Sequence, residues 1–245
     1  MDKGIGFNRN IKLEWLDATA AFCVEMDDPA AIRQRLKPII GQEIGSATNI
    51  RKAIDILLNI WCKYADEHAH LHQLALDFFQ NSTVLTDRVW LHYGLAMLTY
   101  PFFSTAVTAI GQLSRYEEMI ETKAVREKLF GELGELGSIR EAASRIIFSL
   151  RDWGILVDAT TRNAYMPKYR EIKASDIKLE GWMLACAMRA NAIEQIPFED
   201  LLRLPALFPF RFSTTLDKLR ASELFEIERQ GLGLNMVRAT VESLY

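Results

Sequence analysis

Residues 125–170 constrain this chain more than any other stretch. A helical run at 125–133 breaks between Gly134 and Gly137, and a second helical run follows at 138–153. Two β-prone segments, 155–158 and 164–167, then flank the polar sequence Ala159-Thr160-Thr161-Arg162-Asn163. Helix, glycine-containing turn, helix and hairpin is the order of a winged helix-turn-helix. Units of this kind commonly lay one helix in the DNA major groove and rest the hairpin loop on the backbone.

Charge supports that expectation locally. The chain carries a net charge of −3, so it is not basic as a whole. Between Ser138 and Lys173, however, seven basic residues face four acidic ones, a net of +3 that leaves −6 for the remainder. A DNA-facing module on an acidic body has this asymmetry, although a solvated helix face gives it too. With 49% hydrophobic residues, the 245-residue chain is globular rather than disordered. Cys23, Cys62 and Cys186 are scattered and odd in number, which suits a reducing cytoplasm and excludes a zinc ribbon. The apolar run of a signal peptide does not follow Asp2 and Lys3.

One run raises the question of a membrane. No Asp, Glu, Lys or Arg occurs between Val89 and Ser114, a length that could span a bilayer. Pro101 interrupts it, and His92, Gln112 and several Ser and Thr dilute it. The expectation is two core helices meeting at Pro101 and no membrane partner.

Elsewhere the spacing predicts helices over 11–26, from Pro29 to about residue 40, and over 48–64, 69–79, 86–99, 102–113, 116–135 and 176–192. Asp28-Pro29 is a start signal, with a capping side chain before proline at the first helical position. Phe208, Phe210 and Phe212 alternate with other residues, as do residues 224–229, and both read as short strands. Gly231 and Gly233 mark a turn, after which 234–244 reads as a closing helix.

The second helix of the motif turns Ile139, Ala142, Ala143, Ile146, Ile147 and Leu150 inward. Arg140, Ser144 and Arg151 point outward, with Arg145 at the boundary. Together with Arg162, Asn163 and Lys168, these are the candidate DNA-binding residues, because the guanidinium fork matches guanine edges and phosphate oxygens. The competing reading is a winged helix used only for protein contacts. His68 and His72 share a helix face at the i, i+4 spacing of a metal pair, but no third ligand is evident, so neither metal nor cofactor is expected. Asp158, Glu171 and Lys173 match the short Asp…Glu-x-Lys pattern of Mg²⁺-dependent nucleases, without the surrounding α/β/α pattern such enzymes need. No Walker loop, G-x-G-x-x-G or G-x-S-x-G occurs.

The Gly4-Ile-Gly-Phe-Asn8 lead, the amphipathic helix at 49–64 and the 138–157 segment with its Trp153-Gly-Ile-Leu ending resemble the BrxA family of bacteriophage-exclusion (BREX) defence proteins. The likeness covers the first two thirds of the chain. It implies a small, mainly helical cytoplasmic protein that binds DNA as an accessory factor alongside other proteins of one antiphage system, without catalysis of its own.

The sequence therefore predicts a mainly α, multi-helix protein containing a winged helix-turn-helix, with a small α/β C-terminal region. Its expected divisions are an N-terminal helical domain at 1–115, the winged unit at 116–174 and a helical region with short strands at 175–245. The expected function is contact with double-stranded DNA in a defence or regulatory assembly. A helical protein-interaction scaffold and a Mg²⁺-dependent nuclease are the alternatives.

Overall fold

The computed structural model describes residues 5–231 and 233–240. The chain is mainly helical, with small sheets towards its C-terminus. It opens with α1 (Leu13–Glu25), α2 (Pro29–Gly41) and α3 (Ala47–Trp61), then α4 (Ala69–Asn81), α5 (Leu85–Thr99) and α6 (Pro101–Leu113). A two-residue strand, β1 (Ile120–Glu121), precedes α7 (Thr122–Leu133) and α8 (Gly137–Asp152), and the hairpin β2 (Leu156–Asp158) and β3 (Ala164–Pro167) follows. The remainder is β4 (Ile172–Lys173), α9 (Ile177–Ala190), β5 (Ile196–Pro197), α10 (Phe198–Leu201), β6 (Phe210–Arg211), α11 (Leu216–Arg220), β7 (Phe225–Gln230) and β8 (Leu234–Ala239).

Local chemistry explains the helix boundaries. The Asp28 carboxylate accepts from the Ala30 N–H at 2.8 Å and Pro29 sits in the first turn, so α2 starts where the sequence predicts. Proline also divides α5 from α6. The two helices meet at 119°, and no single helix among the described residues is long and apolar enough to cross a membrane. The uncharged run is apolar because it is core: residues 89–97 of α5 are buried throughout, as is α9 from Leu179 to Met188.

These central helices approach closely through glycine. A Cβ at Gly94 would stand 2.5 Å from the Trp182 ring, so the indole packs directly on the α5 backbone. Two buried carboxylates then fasten the second half of the chain. Asp87 of α5 accepts from Ser82 and from both the N–H and hydroxyl of Ser175. Glu180 of α9 accepts from Ser213 N–H, Ser213 Oγ and Thr214 N–H at 2.7–2.8 Å. Each carboxylate meets several donors at once, which makes burial of the charge tolerable.

Three small sheets complete the fold. In the first the order is β1-β3-β2, all antiparallel, with Ile120 opposite Tyr165 and Val157 opposite Met166. β4 and β6 pair in parallel, Ile172 opposite Phe210. The third has the order β5-β8-β7.

The sequence reading is corrected at three places. The expected closing helix at 234–244 begins as strand β8, paired with β7 along its whole length. Gly231 and Gly233 adopt φ of 55° and 118° and turn the chain back, and the alternation of buried Val237 and Ala239 with exposed Arg238 is a strand period. Residues 241–244 of that expectation lie outside the described residues. The helix expected from residue 116 starts only at Thr122, because Ile120 and Glu121 pair with β3. Of the alternating Phe208–Phe212 run only Phe210 and Arg211 form a strand. Pro209 has no N–H to donate, and Pro205–Leu207 is a 3₁₀ turn.

Two buried histidines give the fold a pH dependence. The Trp61 indole N–H donates to His92 Nδ1 at 3.1 Å, and His92 Nε2 lies 2.9 Å from Asp17. Nδ1 must therefore be the acceptor and Nε2 the protonated nitrogen, which is a neutral ring. Burial holds the His92 pKa below its ordinary value, and burial likewise lowers His72 to about 4. Both rings take up a proton on unfolding, where imidazole titrates near 6.5. Because the folded pKa is the lower one, their contribution is complete above pH 6.5 and is lost as pH falls towards the folded values. For His72 stability should fall by up to about 1.4 kcal/mol per pH unit between pH 6.5 and about 4, and His92 adds to the loss in the same direction. Denaturant midpoints at pH 7.5, 6 and 5 measure it, and a flat profile over this range would contradict the assignment.

Candidate nucleic-acid interface

α7 and α8 pack as a pair around Val125 and Leu129 of α7 and the six inward residues predicted for α8, all buried. Gly134, at φ 86°, ends α7, and Gly154, at φ 70°, ends α8. Both adopt a backbone that only glycine enters readily. The hairpin returns over the end of α8 because Ile155 donates to the Leu150 carbonyl and Lys168 donates to that of Ile155. β1 closes the unit from the other side. The Asn163 carbonyl accepts from Thr122 N–H at 2.9 Å and Thr122 Oγ1 at 3.1 Å, tying the hairpin tip to the first residue of α7.

The candidate residues do not share one face. At 100° per residue, Arg140, Ser144 and Arg151 fall within about 40° of one another along α8, and the helix is about 24 Å long. Arg145 is turned about 140° from Arg140. It lies on the flank of Ser149 and Asp152, where the N-terminal lead packs. There the Ile11 N–H donates to Ser149 Oγ at 2.8 Å, Leu13 N–H to Asp152 Oδ2 at 2.7 Å, and Trp153 Nε1 to the Ile11 carbonyl at 2.9 Å. Arg162 and Asn163 are exposed at the hairpin tip, with Asn163 in the left-handed region at φ 60°, which asparagine tolerates. Lys168 is half-buried at the base of the hairpin, its Nζ beside Gly154 rather than near the tip.

Each arginine of α8 has a carboxylate neighbour. Arg140 stands 3.8 Å from Glu135, Arg145 3.4 Å from Glu141 and Arg151 3.4 Å from Asp158. Their side chains are 61%, 40% and 46% exposed, so these are surface pairs of small worth that a phosphate can displace. Ser144 is held more firmly: it donates to the Arg140 carbonyl and accepts from Arg126 Nη2 at 2.7 Å. Sequence reasoning missed Arg126, which donates to Ser144 from α7. No local pattern signals it, since the contact joins residues 18 positions apart across the turn between α7 and α8.

The residues of the other constellations fall on separate elements. Asp158 lies on β2, and Lys173 lies on β4 in a separate sheet. His72 is buried with its ring stacked on Tyr64, centroids 4.0 Å apart, while His68 sits ahead of α4 beside Glu67. Among the described residues, no group of three or more His, Cys, Asp or Glu side chains could hold a metal ion. Comparison of the chain with protein families, with curated proteins and with solved structures returns no match.

Proposed function

We propose that residues 116–174 are a winged helix-turn-helix with α8 as its DNA-facing helix and the β2–β3 hairpin as its wing. Through it the chain binds double-stranded DNA as a non-catalytic accessory protein of a bacterial antiphage defence or regulatory assembly in the cytoplasm. The observation that carries this reading is β1. By pairing with β3 ahead of α7, it makes the segment run strand, helix, helix, strand, strand, with sheet order β1-β3-β2. At the C-terminal end of α8 the hairpin lies next to the outward face, since Arg151 stands 3.4 Å from Asp158 of β2, which supports a shared contact with one duplex. Arg140 and Arg151 line that face and the exposed Arg162 stands at the tip. The antiphage setting, with other proteins of the same system as partners, rests on the resemblance to BrxA proteins.

A second reading has its own observation. Val157 and Met166 are paired across the hairpin and both are exposed, as is Leu136 at the start of α8. Apolar side chains beside paired charges suit a protein partner better than a phosphate backbone. Titration of a fluorescent duplex separates the two. On the DNA reading the protein binds, its affinity falls steeply with salt, and Arg162→Ala weakens binding about tenfold and lowers the log–log salt slope by about 0.9. Absence of duplex binding by the folded parent would transfer the surface to a protein partner.

A further inference from the structure

A second cluster of arginines lies away from α8. Arg170 follows β3, Arg203 follows α10 and Arg211 is on β6, and all three are exposed and line one cavity of about 500 Å³. Arg115 lines an adjoining cavity that shares Arg170 and Arg203. Among the described residues none of these four guanidinium groups is ion-paired, unlike the arginines of α8. Arg115 donates to the Arg203 carbonyl, and Arg170 lies over the Tyr169 ring.

The groove is built rather than incidental. Arg170 occupies the left-handed region at φ 55°, which residues other than Gly, Asn and Asp seldom adopt. Backbone bonds hold it there: Arg170 N–H to the Phe208 carbonyl at 2.8 Å, then Glu171 and Ile172 N–H to the Pro209 carbonyl at 3.1 and 3.0 Å. A strained residue fixed by its surroundings at the edge of a cavity is a common mark of a binding site. The floor is apolar. Phe210 is buried against Trp90, while Phe212 and Leu202 are half-buried at the cavity wall. Glu199 adds one carboxylate at the rim.

We propose that this groove binds a nucleotide. Guanidinium forks match phosphate oxygens in shape and charge, better than ammonium groups do. Phe212 and Leu202 give a base an apolar surface, and Glu199 is an acceptor for sugar hydroxyls. The volume lies within the range of small-ligand sites. A phosphodiester backbone offers the same phosphate chemistry, but a concave site with an aromatic floor favours the free nucleotide over a duplex.

Isothermal titration calorimetry on the whole chain tests this with ADP, GDP, adenosine and pyrophosphate. ADP or GDP should bind at one site, pyrophosphate more weakly and adenosine not at all. Arg203→Ala and Arg211→Ala should each weaken the nucleotide at least tenfold and leave duplex affinity unchanged. Arg203→Ala keeps the carbonyl that Arg115 uses, so circular dichroism should be unaltered. Arg170→Gly removes a guanidinium and relieves the left-handed backbone together; it should lose nucleotide affinity without lowering the melting temperature. Absence of heat from either nucleotide at millimolar concentration, or unchanged affinity in folded Arg203→Ala and Arg211→Ala, would overturn the proposal. Loss of duplex binding in these variants, with no nucleotide binding by the parent, would assign the groove to DNA instead.

Discussion

Gly111→Ala should destabilise the fold by more than about 3 kcal/mol, at the upper end of what overpacking costs. A Cβ at Gly111 would stand 1.9 Å from the Pro205 carbonyl oxygen and 2.7 Å from its carbon. The obstacle is backbone, and the backbone is held. The Pro205 carbonyl accepts from Phe208 N–H at 3.1 Å, and the next carbonyl, of Ala206, accepts from the buried Tyr93 hydroxyl at 2.5 Å. Relief requires α6 and the 3₁₀ turn to separate, which opens the apolar contact between them. For a chain of this size the melting temperature should drop by about 6–12 °C. Gly131→Ala is the control: it lies in α7, nothing stands within 4 Å of the added methyl, and it should be neutral or stabilising by up to about 1 kcal/mol. Equal melting temperatures for Gly111→Ala and the parent would show that α6 and the Pro205 turn do not meet in this way.

The helices were legible wherever one local signal sufficed. The apolar stripe of α3, the Asp28-Pro29 start of α2 and the Pro101 break between α5 and α6 each act within a few residues. Burial on all sides of α5 at 89–97 was readable as an uncharged run, since a stretch with no solvent face holds a charge only where donors meet it, as at Glu180 of α9. The strands were harder. β1 has two residues, and its pairing with β3 spans more than forty positions. β8 was misread as helix, because short apolar segments satisfy both periods until a partner strand selects one.

Of the candidate site, the inward face of α8 and the hairpin tip were legible. Alternation of apolar and charged residues along α8 identified its inward face, and the polar run at 159–163 located the hairpin tip. The turn of Arg145 away from Arg140 follows from the helical period, but the covering of its flank was not readable. It depends on the N-terminal lead, whose Ile11 and Leu13 bond to Ser149 and Asp152 from the opposite end of the chain. The carboxylate beside Arg151 comes from β2, and the Arg170–Arg203–Arg211 groove joins three separated segments. Tertiary packing sets all of these, and no sequence window contains them.

The central claim is that α8 and the hairpin tip contact DNA, and the triple variant Arg140→Ala, Arg151→Ala, Arg162→Ala addresses it most directly. All three side chains are exposed, and the surface pairs lost with Arg140 and Arg151 contribute at most about 1 kcal/mol each, so the fold should persist. The effect on DNA should be far larger. Three charge-assisted contacts disappear, and Glu135 and Asp158 are left facing the phosphates. Duplex affinity should fall at least about 100-fold. The log–log dependence on salt should flatten by about 2.7 if each arginine meets one phosphate. Fluorescence anisotropy at four or more salt concentrations, with circular dichroism as the folding control, is the measurement. A folded triple variant with the parent's affinity and salt slope would contradict the account.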